Sequence, residues 1–131
     1  MEKAIQDVTL GTVGWFAFAA GTLGLTAGQT LRLSIVNMSP SNATVLCGIW
    51  QNPRPLALVR DSHTLGPGEA GKCDVNASDL PREMFDKTGR AQIRALVHSS
   101  TRAICCTLEV FDSKTGRTSI ILPLQEMVHC G

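Results

Sequence analysis

The side chains best equipped for chemistry in this 131-residue chain are five cysteines and three histidines. Cysteine and histidine build zinc centres when they recur at close C-x-x-C or H-x-x-x-H spacing. A cysteine held against a histidine builds a nucleophile. Neither arrangement is written here, since His63, His98 and His129 are scattered. The adjacent His129 and Cys130, joined by Cys105 or Cys106, come nearest to a metal set. Structural and tail roles suit them better, so no metal and no other cofactor is expected. Asp7, Asp61, Glu69, Asp74, Asp79, Asp86, Glu109 and Asp112 form neither a carboxylate pair nor a calcium loop, and they read as turn and solvent-face residues. The glycine-rich residues 66–71 lack the Lys-Ser/Thr of a phosphate cradle and read as a hairpin loop. The chain carries no catalytic signature and is not expected to be an enzyme.

Cross-linking is what the cysteines offer instead. Two readings stand: buried thiols acting as small hydrophobes, or one or two disulfides formed in an oxidising compartment. An odd number leaves at least one thiol free or paired with another chain. Which sulfurs meet depends on the elements that carry them, and those elements are strands. "TLRLSIVN" alternates Leu31, Leu33 and Ile35 with Arg32 and Ser34, and "AQIRALV" and "TSIILPL" alternate in the same way. Period two over five to nine residues, broken by turns such as "TAGQ", "SPSN", "QNPRP", "DKTGR" and "DSKTGR", predicts an all-β antiparallel sandwich. Residues 77–85 break the period, and they predict one short helical crossover with Ser78 or Asp79 as its cap and Pro81 in its first turn.

On that pattern Cys47, Cys73 and Cys106 face the interior, with Val45, Val75 and Ile104 on the same sides of their strands. Cys105 faces out and Cys130 sits on the tail. The candidate disulfide partners are thus Cys47, Cys73 and Cys106 inside, and Cys105 with Cys130 outside, within one chain or between neighbours. Sequence leaves the pairing open, with Cys73 a rival to Cys106 for Cys47.

Composition narrows the partners. A net charge of +1, no tyrosine and no basic cluster argue against nucleic acid. Hydrophobic residues at 44% and charged ones at 18% describe one folded domain. Residues 8–25 carry no charge, but they are too rich in Gly and Thr for a good membrane-spanning helix. "AFA" before Ala20 has the small-x-small form of a leader cleavage site, whereas Glu2, Lys3 and Asp7 give no basic start. The favoured reading is a strand-forming apolar arm over residues 1–24, ahead of a sandwich over residues 25–131.

"LTAGQTLRLSIVN", "IRALV" and "CTLEVFDSKTGRTSIILP" together resemble small all-β domains of uncharacterised bacterial proteins. The resemblance covers residues 25–123. It implies an immunoglobulin-like, Greek-key sandwich and no particular activity. An immunoglobulin-type bridge between the sheets would then join Cys47 to Cys106.

Two functions from different classes fit. The first is a non-enzymatic structural subunit that self-assembles into a surface filament or similar homo-oligomer. Val8, Leu10, Val13, Trp15 and Phe16 of its arm would be donated as a strand to a neighbour. The second is a monomeric sandwich that binds carbohydrate or protein, a reading weakened by having Trp15 and Trp50 as its only tryptophans. Asn37, Asn42 and Asn76 lie in N-x-S/T form and are candidate glycosylation sites, although turn chemistry explains the same residues. The expected setting is extracellular or on the cell surface, or cytoplasmic if the thiols stay reduced.

Overall fold

The computed structural model describes residues 15–51 and 57–127, with side chains described at all of these except 51 and 57–60. Their strands are β1 (Phe16–Ala19), β2 (Leu23–Thr26), β3 (Gln29–Asn37), β4 (Ala43–Gln51), β5 (Ala57–Leu65), β6 (Ala70–Asn76), β7 (Arg90–Ser99), β8 (Ile104–Asp112), β9 (Thr118–Pro123) and β10 (Gln125–Glu126). They form two antiparallel sheets. One runs β10-β1-β7-β4-β5, with β2 also on β7, and the other runs β6-β3-β8-β9.

The alternation in the sequence decides the core. Inward residues Leu31, Leu33 and Ile35 of β3, Val45, Cys47 and Ile49 of β4, Ile93, Ala95 and Val97 of β7, and Leu108 and Val110 of β8 are buried in one cluster. Each large apolar side chain so buried contributes roughly 1.5–3 kcal/mol.

The connections carry the chain from sheet to sheet. β5 and β6 lie in different sheets, so residues 66–69 make a crossing and not the expected hairpin. Gly68 adopts φ +76° in that crossing, where a side chain would be strained. β7 lies beside β4, whereas β8 lies beside β3. The immunoglobulin order keeps its last two core strands side by side in one sheet. Here β7 and β8 lie in different sheets, and β8 pairs with β3 and β9.

The helical crossover is two single 3-10 turns, Ala77–Asp79 and Arg82–Met84. Asn76 and Pro81 occupy their cap positions, neither turn has a side-chain cap, and Ser78 and Asp79 lie inside or past the start of the first. Pro81, extended at ψ 142°, separates the two turns and prevents a longer helix.

The expected boundary between residues 24 and 25 falls inside β2. β1 and β2 lie end to end along β7 of the same chain, with Phe16 opposite Ser99 and Leu23 opposite Ile93. From Phe16 onward the arm is part of the sandwich.

Candidate functional site

A two-sheet sandwich has open sheet edges, and each exposes unpaired backbone groups. Apart from β9, the edges here are short or charged, and β2, paired only with β7, is four residues long. β10 is two residues long. β5 carries Asp61, and β6 carries Lys72 and Asp74 on its outer face. β9, "TSIILP", has no charge and only a terminal proline, Pro123.

The side chains of β9 are as bare as its edge. Leu108 pairs with Leu122 and Val110 with Ile120, so Ile120 and Leu122 stand on the core-facing side. Ile120 is nevertheless 38% exposed, because the opposing sheet does not cover this strand. Ile121, on the other face, is 60% exposed. The alternation reading took β9 for an ordinary half-buried strand. Its signal was the run Ile120-Ile121-Leu122, in which successive residues cannot all face the core.

Of the expected arm residues, Trp15 is half-buried just before β1. Phe16 is half-buried against the core, with the Arg102 guanidinium 4.8 Å above its ring. β1 is already paired on both sides, with β7 and β10 of its own chain, so Phe16 is not free to be donated. Val8, Leu10 and Val13 lie outside the described residues, as do His129 and Cys130.

The cysteines sort by face. Cys106 is buried and Cys105 exposed on β8. Burial, with Cys105 alongside, pushes the Cys106 thiol up to about 12. Cys47 and Cys73 are 1% and 4% exposed. All four described cysteines are free thiols.

The bridge from Cys47 to Cys106 is not formed. Cys47 and Cys73 are each the largest influence on the other's thiol, which pushes Cys47 up and Cys73 down. The reason is strand order. β6 is one edge of its sheet and β8 lies beyond β3, so β8 and β6 are on opposite sides of that strand.

Opposite Cys47 and Val45 stand two residues of β5 that read as scattered in the sequence. Cys47 pairs with Asp61 and Val45 with His63 across β4 and β5, which puts Asp61 and His63 on the core-facing side of an edge strand. The Cys47 Sγ lies 3.6 Å from the Asp61 carbonyl. His63 Nε2 is 3.6 Å from Asp61 Oδ2, beyond hydrogen-bond reach, and is buried without a hydrogen-bond partner. The His63 ring also fills the space beside Gly71, where an added Cβ would lie 3.5 Å from Nδ1. Among the described residues no three such side chains are arranged to hold a metal ion.

Asn37 has a role that the sequence did not announce. It is fully buried. Its Nδ2 donates to the carbonyls of Ser41 and Leu65, both at 2.8 Å, and its Oδ1 accepts from the backbone N–H and hydroxyl of Ser39. The amide therefore ties the turn after β3 to the end of β5, and it is closed to a glycan in the folded chain. Asn42 and Asn76 are exposed, although Asn76 Oδ1 already accepts from the Thr30 hydroxyl at 2.7 Å.

The remaining polar groups serve the fold. The Asp112 carboxylate accepts from the backbone N–H groups of Lys114 and Thr115, which holds it below the usual carboxylate range. With Thr115, Arg117 and Ser119 it lines an open depression of about 430 Å³ beside Gly116, whose φ of 73° turns the hairpin. Buried His98 is held below the usual imidazole range by desolvation.

The fold is similar to that in the crystal structure of Thermotoga maritima 1070, with a TM-score of 0.52 over 88% of this chain and 95% of that one. At 10% identity the likeness concerns the fold alone. No protein-family model matches the chain, and no curated protein matches it.

Proposed function

We propose that the protein is a non-enzymatic structural subunit that associates with further copies of itself by strand addition at β9. The donor is the uncharged segment of residues 8–14, "VTLGTVG". The observation that carries the reading is the uncharged, uncovered β9 edge in a molecule whose other edges are short or charged. At about 3.3 Å per residue, seven donor residues match the six of β9 in length. The donor leads into β1, which belongs to the sheet opposite β9, so a neighbour's β9 is the natural acceptor. The reading uses only the two-sheet sandwich and its edges, and not an immunoglobulin-like order. A carbohydrate-binding platform is the weaker reading, because Trp50 is buried and only Trp15 keeps partial exposure.

Light scattering across a concentration series tests this. The full chain should form assemblies larger than one chain, and the chain without residues 1–14 should be a folded monomer. A full-length monomer at every concentration overturns the proposal. So does a truncated chain that loses thermal stability while keeping the size of the full one, since the arm would then serve its own sandwich.

A further inference from the structure

Hydrogen bonds at the two ends of β8 show which backbone groups of β9 face the open edge. The Met38 N–H donates to the Ala103 carbonyl at 2.8 Å, and the Ser113 N–H donates to the Gly28 carbonyl at 2.8 Å. The Leu124 N–H donates to the Cys106 carbonyl at 3.0 Å, and the Asp112 N–H donates to the Arg117 carbonyl at 2.8 Å. In an antiparallel ladder the bonding direction alternates from residue to residue. Odd-numbered residues of β8 therefore turn their backbone groups to β3, and even-numbered ones turn theirs to β9. Leu108 and Val110 thus bond Leu122 and Ile120, their partners in register. Ile121 and Pro123 alternate with these, so their backbone groups point to the free edge. Pro123 has no N–H to offer there. At the other end the pairing passes from Ile120 to Thr118 and skips Ser119, which breaks the ladder. Ile121 is left as the residue of the regular ladder that presents both an N–H and a carbonyl outward.

We propose that strand addition at β9 has a single register, centred on the Ile121 backbone and filled by residues 8–10 of a second copy. This register presupposes β9 as the acceptor and names the residues that align the donor. The uncovered face of β9 carries Ile120, 38% exposed, and Leu122, half-buried. They are two residues apart, so a strand that covers them needs apolar side chains at the same spacing. Val8 and Leu10 have that spacing. Val13 does not serve as well, because Gly11 stands two residues before it. Trp15, two residues after Val13, is already half-buried in its own sandwich. Thr9 of the donor then stands opposite Ile121, where a β-branched residue suits an exposed strand position. Residues 11–14 remain to span the gap between the copies, up to about 14 Å when extended. The acceptor backbone fixes where the bonds form, and the donor side chains fix which residues form them.

Methylating the backbone nitrogen of Ile121 in the full chain tests this, with residues 106–131 made synthetically and joined at Cys106. The change removes the outward N–H and leaves the β8 ladder whole. Light scattering should show assembly lost, and Tm should stay that of the unmethylated chain. The same methylation at Leu122 should lower Tm, since that N–H belongs to the β8 ladder. Leu10→Asp should also prevent assembly, whereas Val13→Asp, in the span between copies, should leave it intact. Amide exchange gives a second reading on the unaltered chain. In the assembly the Ile121 N–H should exchange as slowly as that of Leu122, and in single chains at high dilution it should exchange freely. Undiminished assembly of the Ile121-methylated chain would overturn the register. So would free exchange of the Ile121 N–H in the assembly, or assembly that tolerates Leu10→Asp. In those cases loss of assembly in Ile121→Lys would still keep β9 as the acceptor, whereas a full chain that is a monomer at every concentration overturns both.

Discussion

The second sheet ends in two edge strands of nearly equal length, and they are built on different terms. In β6 the inward residues Cys73 and Val75 are buried beneath the opposite sheet, and the outward residues Lys72 and Asp74 are charged. The Arg32 guanidinium grips both oxygens of Asp74, at 2.9 and 3.0 Å, while stacking 5.1 Å over Phe111. In β9 no residue is buried and none is charged. Covering one face and charging the other closes an edge to further strands. β9 has neither protection, and the difference gives the molecule a direction: one side of the sheet is finished and the other is not.

The largest expected break in this comparison comes from the paired leucines of β8 and β9. Leu108 is fully buried, whereas Leu122, directly opposite, is half-buried. Leu108→Ala should cost about 3–5 kcal/mol, through lost transfer energy and the cavity left behind. Leu122→Ala should cost about 1 kcal/mol, in proportion to the smaller area it hides. Urea midpoints of the two variants measure the gap. Equal losses would mean that β9 is part of the core.

Asn37→Ala comes next, at about 3 kcal/mol, because it strands the carbonyl of Leu65 and the N–H of Ser39 in the interior and cuts the tie to the Ser41 carbonyl. It acts on the finished side, since the Asn37 backbone also bonds the β5–β6 crossing, to Glu69 and Gly68. Asn37→Asp should be about as harmful, as it removes the donor and buries a charge. Chemical denaturation of both variants checks this. A loss below about 1 kcal/mol would show that water replaces the amide.

What the sequence made legible follows from period two. The inward sets of β3, β4, β7 and β8, the opposite fates of Cys105 and Cys106, and the positive φ of Gly116 are all local consequences of alternation and turn chemistry. Strand order is not local. Whether β8 lies beside β7 or β3 depends on which sheet each short connection enters, and Cys47 and Cys106 remain free thiols in that order. The same blindness hid the placing of Asp61 and His63 on the core-facing side of β5, because only the β4–β5 register sets them opposite Cys47 and Val45. The role of Asn37 was masked differently: N-M-S reads equally as a sequon, a turn or a buried hub, and burial alone separates them.

A smaller effect sharpens the electrostatic half of the comparison. Arg32 holds the Asp74 carboxyl below its usual range, chiefly through their hydrogen bonds. The unfolded carboxyl takes up its proton near the ordinary value of about 3.9, and the folded one does so only at lower pH. The stability from this pair is therefore present above about pH 4, and is lost as pH falls through the depressed folded value. The pair is about one-third exposed, so Asp74→Asn should cost no more than about 1 kcal/mol at neutral pH. The difference between the two proteins should shrink toward zero in acid. Urea midpoints at three pH values resolve it. A gap that stays constant into acid would assign the loss to packing and not to charge.

The smallest effect on stability should accompany the clearest effect on association. Ile121 points to solvent from the middle of β9, so Ile121→Lys removes no core contact and should change the unfolding free energy by less than about 0.5 kcal/mol. A lysine there gives β9 the kind of guard that Lys72 gives β6. An incoming strand would have to bring its own backbone beside the new ammonium and desolvate it. Light scattering should therefore show the variant as a monomer, with a melting curve matching that of the unaltered chain. The reciprocal change, Lys72→Thr with Asp74→Thr, separates the two protections of β6. If charge alone keeps that edge closed, this variant should gain a second mode of association that survives Ile121→Lys. If cover is sufficient, its size should not change. Assemblies of undiminished size in the Ile121→Lys protein would remove β9 as the acceptor and leave the difference between the edges without a role in association.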